Sequence, residues 1–128
     1  MTVLDGGVIV GYDSADVPEG GQLSLHATIA KAKLWSAEKP HLYTVLFALS
    51  GDEGVLEYVP LKAGFRRVEI RGGILLLNGR RLVLKGINRH EFSCRSGRTL
   101  TREEMIADAL VMKANHINAV RTAHYPNH

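Results

Sequence analysis

The sequence predicts a multidomain fragment: a partial antiparallel β-sandwich over residues 1–71, then the first βαβ unit of a (β/α)8 barrel over residues 72–128. Three observations carry this. The first half alternates polar and apolar residues between closely spaced turn signals and shows no convincing helix. The second half runs hairpin, apolar strand, capped helix, short strand. The charge also changes sign: residues 1–59 hold three lysines against eight acids, and residues 60–128 hold 13 basic residues against five acids.

In the first module Val8-Ile9-Val10 is a short apolar run ended by Gly11, preceded by loop-like sequence. Gln22 to Ala30 alternates strictly, with Leu23, Leu25, Ala27 and Ile29 on one face, the signature of a half-buried strand. Leu42 to Ser50 is rich in β-branched and aromatic residues and leads into the turn Ser50-Gly51-Asp52-Glu53-Gly54. Val55–Val59 and Phe65–Ile70 read as further strands. About five strands result, where a complete sandwich has about seven. Met1 is therefore not expected to be the natural start of this module. Trp35 reads as a packing residue, and His26 and His41 as surface or turn residues.

In the second module Gly72-Gly73 breaks the chain. Asn78-Gly79 between two apolar runs predicts a hairpin, because both turn positions need positive φ. From Leu82 the strand continues to Ile87, almost wholly apolar, as a buried parallel strand would be. Thr101-Arg102-Glu103-Glu104 fits a capping box, with Thr101 as N-cap and Glu104 closing it. Met105, Ile106, Ala109, Leu110 and Met112 give the helix one apolar face, which is core packing rather than a cofactor site. Asn115 is expected as a left-handed C-terminal cap. Ile117 to Val120 reads as the second strand.

Composition excludes several classes. The chain is 45% hydrophobic and 23% charged, which suits a soluble globular protein. No apolar run is long enough to span a membrane, and no membrane partner is expected. Met1 to Gly21 carries four acids and no Lys or Arg, unlike a signal peptide. The single cysteine, Cys94, forms no internal disulfide, so a reducing, cytoplasmic setting is expected. The basic residues of the second half sit singly or in pairs between apolar stretches, as on the solvent faces of strands. No nucleic-acid partner is expected.

The polar chemistry gathers in two places. The long connection after the first barrel strand holds Asn88, Arg89, His90, Glu91, Ser93 and Arg95; after the second come Arg121, Thr122, His124, Tyr125, Asn127 and His128. Both leave C-terminal strand ends, so both belong to the rim where barrel active sites form. His90, Glu91, His124 and His128 do not have the spacing of a known metal motif. Cys94 lies near His90 without a nucleophile signature. A retaining glycosidase needs two facing carboxylates, and Glu91 is the only acid on this rim. No catalytic residue is therefore assigned. Arg89, Glu91 and Arg121 are read as an ion-pair network beneath a site.

The stretch Gly86-Ile87-Asn88-Arg89-His90-Glu91 together with Asn118-Ala119-Val120-Arg121-Thr122-Ala123-His124-Tyr125-Pro126-Asn127 resembles glycoside hydrolase family 2. The nearest subgroup is the bacterial β-galactosidases. Leu34-Trp35-Ser36-Ala37-Glu38-Lys39-Pro40-His41-Leu42-Tyr43 and Gly64-Phe65-Arg66-Arg67-Val68-Glu69-Ile70 are similar to that family's immunoglobulin-like linker domain.

The resemblance implies an internal fragment: the end of the immunoglobulin-like domain plus the start of the TIM barrel. It implies a parent that hydrolyses terminal β-D-galactosides such as lactose with retention, through one Glu as acid/base and another as nucleophile. Neither Glu has a counterpart here, so the fragment alone is expected to be inactive. His124 maps onto a substrate-binding histidine. Asn88, Arg89, His90, Glu91 and Arg121 map onto its supporting shell. Ala123 replaces the serine usual before that histidine. A divalent metal, Mg or Ca, is expected in the parent with ligands outside this fragment, and a homo-oligomeric parent is expected. The alternatives are a β-glucuronidase or β-mannosidase type of the same family, and a non-catalytic carbohydrate-binding module.

Overall fold

The computed structural model describes residues 1–127. The chain divides into two compact units, one of Met1–Ile70 with Leu76–Arg80, the other of Arg71–Leu75 with the residues from Arg81 on.

The first unit is built on an antiparallel sheet. Strand β1 spans Thr2–Asp5, β2 Val8–Tyr12, β3 Tyr43–Gly51 and β4 Gly54–Ala63, in the order β2-β1-β3-β4. The chain thus begins in a strand, not in loop sequence. Gly6-Gly7 between two apolar runs makes a two-residue hairpin, and both glycines adopt positive φ. Val3 and Tyr43 are its buried apolar residues. Tyr43 packs edge-on against Phe65, 5.2 Å between ring centres, and its hydroxyl accepts from the Lys33 N–H at 2.8 Å. Asp5 lies 2.8 Å from Lys33 Nζ and 3.0 Å from His41 Nε2. The Lys33 hydrogen bond holds the Asp5 carboxyl below its usual range, and Asp5 raises Lys33 in turn. Gly64 is needed where Trp35 passes: a Cβ there would sit 3.0 Å from Trp35 Cδ1.

The expected strand Gln22–Ala30 is not one. The alternation is real, since Leu25, Ala27 and Ile29 are half-buried between exposed neighbours, but no ladder partner meets the segment. Its backbone is held elsewhere, as where the His26 N–H donates to Asp13 Oδ2 at 2.6 Å. Alternation reports which side faces the protein. It does not report a hydrogen-bond partner.

Strands β5 (Val68–Arg71), β6 (Ile74–Leu77) and β7 (Arg80–Arg81) form a small sheet in that order. The Asn78-Gly79 turn has φ of 53° and 77°, as expected. Asn78 also works through its side chain. It accepts from the Arg67 N–H at 2.9 Å and donates to the Trp35 carbonyl at 3.0 Å.

The second unit is one strand-helix-strand crossover: β8 (Gly86–Arg89), α1 (Arg102–Ala114) and β9 (Ala119–Thr122). β8 and β9 run parallel in the register Gly86↔Ala119 to Arg89↔Thr122. The first barrel strand therefore starts at Gly86, later than the Leu82 expected. The apolar run is also not buried: Val83 and Leu84, before the strand, and Ile87 within it are exposed, since among the described residues β9 is the one strand paired with β8. Asn118 ties the start of the ladder. Its Oδ1 accepts from the Lys85 N–H at 2.8 Å and its Nδ2 donates to the Val83 carbonyl at 3.0 Å.

The helix begins where the sequence places it. Thr101 and Glu104 form the full capping box, at 3.3 and 2.9 Å. Asn115 is the C-cap, as expected, but it is not the left-handed residue. Asn115 has φ −98°, and His116 takes the left-handed conformation at φ 57°. Ile117 N–H then bonds the Met112 carbonyl and His116 N–H the Lys113 carbonyl, a Schellman closure. Asn115 caps with its side chain instead, donating to Val111 at 2.8 Å. The apolar face is only partly covered. Met105 and Met112 are half-buried, whereas Ile106 and Leu110 are exposed.

Candidate functional site

The parallel register brings the two polar clusters to one rim. Asn88 pairs with Arg121 and Arg89 with Thr122, and the next residues of both strands leave the same end. One further rung continues the ladder: Ala123 N–H donates to the Arg89 carbonyl at 2.9 Å. Ala123 is buried, so a small side chain suits the position. Past this rung His90 and His124 meet edge to face, with ring centres 5.4 Å apart. Both imidazoles are exposed. They present ring nitrogens that can donate or accept a hydrogen bond to a ligand hydroxyl.

Beneath the pair lies the charged network that the sequence suggests. Arg89 Nε donates to Asp108 Oδ2 at 3.0 Å, with Nη2 2.9 Å from the same oxygen. Arg89 Nη1 lies 3.9 Å from Glu91 Oε1. Among the described residues of this unit, Glu91 is the charged one that is buried. Arg121 is exposed at its register position opposite Asn88. Asn88 is likewise exposed on β8.

Three residues of the site, Asp108, Arg98 and Tyr125, have roles that sequence reasoning did not assign, although it placed Tyr125 on the rim. Asp108 reads in sequence as a polar position on the helix, and only the fold puts it against Arg89. Tyr125 accepts from the Glu91 N–H at 2.9 Å and donates back to the Glu91 carbonyl at 3.3 Å. The Arg98 guanidinium stacks over the Tyr125 ring, 4.5 Å from its centre. His90, Glu91, Phe92, Arg98 and Tyr125 line one open cleft. The long loop that supplies Arg98 is held by paired Ser93 and Gly97 backbones and by the Ser93 hydroxyl, which donates to Glu104 at 3.0 Å. The Thr101 N–H, then the Ser93 hydroxyl, hold the Glu104 carboxyl below its usual range, with Arg95 adding to the effect against the opposing influence of burial.

Among the described residues no three His, Cys, Asp or Glu side chains gather to hold a metal ion. His128, considered in sequence with His90, Glu91 and His124, lies outside the described residues. Cys94 is a free, exposed thiol. The two exposed imidazoles supply the free hydrogen-bonding groups of this rim. Of its two carboxylates among the described residues, Asp108 is taken up by Arg89 and Glu91 is buried beside the same guanidinium, which is not the facing pair that glycoside cleavage requires.

The chain is 51% identical over 119 residues to a β-galactosidase of Streptococcus thermophilus, covering 93% of this chain and 12% of that protein. It is 41% identical over 127 residues to the β-galactosidase BgaC of Bifidobacterium adolescentis, covering 98% and 12%. The chain thus spans about an eighth of the length of these curated relatives. Among solved structures, a β-glucuronidase of Ruminococcus gnavus in complex with D-glucuronic acid superimposes with a TM-score of 0.84 at 31% identity, covering 98% of this chain and 21% of that one. The family model "Glycosyl hydrolases family 2" matches residues 5–66 and "Glycosyl hydrolases family 2, TIM barrel domain" matches residues 68–128, so the chain belongs to glycosyl hydrolases family 2.

Proposed function

We propose that these residues are part of a retaining glycoside hydrolase acting on terminal β-D-galactosides, and that they supply one wall of its sugar site. The observation that carries this is the His90–His124 pair on the C-terminal rim, within a sequence about half identical to a β-galactosidase. In this reading His124 hydrogen-bonds a sugar hydroxyl, a contact that strengthens as the ring distorts toward the transition state. Arg89, Asp108 and Glu91 hold β8 and its following loop beneath it. The acid/base and nucleophile carboxylates come from other segments of the enzyme, as does any divalent metal.

A second reading, a β-glucuronidase, is favoured by the likeness to the solved β-glucuronidase of Ruminococcus gnavus. The higher identity to β-galactosidases supports the first. The test is to express the complete protein that carries this chain and give it 4-nitrophenyl β-D-galactoside, following the released sugar by NMR. β-Galactose appearing first supports the proposal. No turnover, or α-galactose first, contradicts it.

A further inference from the structure

We propose that Tyr125 is a positioning residue, whose hydroxyl clamps Glu91 so that His90 and His124 keep their edge-to-face arrangement; this rests on the sugar-site reading above. Among the described residues, the last backbone rung between the two strand ends is Ala123 to Arg89. Both histidines lie beyond it and are exposed, so burial does not fix them. Each is the direct chain neighbour of one partner in the clamp: His90 precedes Glu91, and His124 precedes Tyr125.

A phenol can accept and donate at once. Tyr125 does both to a single residue, accepting from the Glu91 N–H at 2.9 Å and donating to its carbonyl at 3.3 Å. The hydroxyl thereby stands in for the backbone rung that the diverging loops no longer make. The ring is held separately. Arg98 stacks over it at 4.5 Å, and the His90 ring lies 6.1 Å away, tilted by 52°. Removing only the hydroxyl leaves these ring contacts in place, so Tyr125→Phe isolates the clamp.

Two readouts test it. The first is amide hydrogen exchange in the complete protein, with the Ala123 amide as internal control. Tyr125→Phe is expected to speed exchange at Glu91 about tenfold while Ala123 changes less than about twofold. An unchanged Glu91 rate, or both rates rising together, overturns the clamp. The second uses the complete enzyme and a series of galactosides each lacking one ring hydroxyl. The ratio of kcat/KM between parent and deoxy substrate is independent of how much protein is folded. Tyr125→Phe is expected to shrink the largest such ratio roughly tenfold, because the histidines no longer read that hydroxyl well. An unchanged ratio alongside reduced activity means a merely structural role and overturns the positioning role. If the unsubstituted enzyme turns over no β-galactoside, the sugar-site reading fails, and the exchange result still decides the clamp.

Discussion

Arg89 fastens strand β8 to helix α1 through Asp108: its Nε donates to Oδ2 at 3.0 Å, and its Nη2 sits 2.9 Å from the same oxygen. The guanidinium is mostly buried, whereas the carboxylate is nearly half exposed. The lock therefore matters more to the arginine than to the aspartate.

Removing the carboxylate leaves a buried cation with Glu91 at 3.9 Å. Asp108→Ala is expected to destabilise the second unit by about 1–3 kcal/mol. Urea unfolding followed by helix circular dichroism checks this. A shift below about 0.3 kcal/mol contradicts the assigned role.

The capping box gives a pH dependence with a definite sign. Glu104 titrates below its ordinary value of 4.5 in the folded chain, chiefly because its carboxylate accepts from the Thr101 N–H. Its contribution is thus complete above that value and is lost as pH falls through the lowered folded value. Glu104→Gln keeps an acceptor in the box but has no proton to gain, so the acid loss of helix stability is expected to flatten. Thr101→Ala removes the other half and is expected to cost about 1 kcal/mol at neutral pH. Thermal unfolding from pH 7 to pH 3 compares the three proteins.

Asn78 combines a left-handed backbone with two side-chain bonds. Asn78→Gly keeps the first and loses the second, and about 2 kcal/mol of destabilisation is expected. Asn78→Ala loses both, with about 1 kcal/mol more. Equal effects in denaturant titrations contradict the division.

What the sequence discloses here follows from range. The capping box and the Asn78-Gly79 turn are set by residues within a few positions, and both stand where local chemistry puts them. Gly6-Gly7 carries the same signal in a stretch that reads as loop. Errors arise where a local pattern needs a remote partner. Gln22–Ala30 alternates without a ladder, and Val83 and Leu84 in the apolar run before Ile87 lie exposed outside any strand. The left-handed cap moved from Asn115 to His116, because Asn115 reaches Val111 with its side chain. At the site, the family motif marks His90, Glu91 and His124. The roles of Asp108, Arg98 and Tyr125 depend on contacts 19 to 34 residues apart, which no spacing rule encodes.

His124 is exposed and free to meet a ligand, so its loss is expected to spare the fold. In the complete enzyme His124→Ala is expected to lower kcat/KM for a galactoside by about 10–100-fold, the worth of one strong hydrogen bond in the transition state. Steady-state kinetics with unchanged circular dichroism checks it. Undiminished activity removes His124 from the sugar site.

The most direct measurement is the ratio of kcat/KM for 4-nitrophenyl β-D-galactoside to that for 4-nitrophenyl β-D-glucuronide, taken on the complete protein. The account predicts a ratio of at least about 100, within the reach of binding differences at a sugar site. A ratio below one would place the chain in a glucuronide-cleaving enzyme and contradict the central claim.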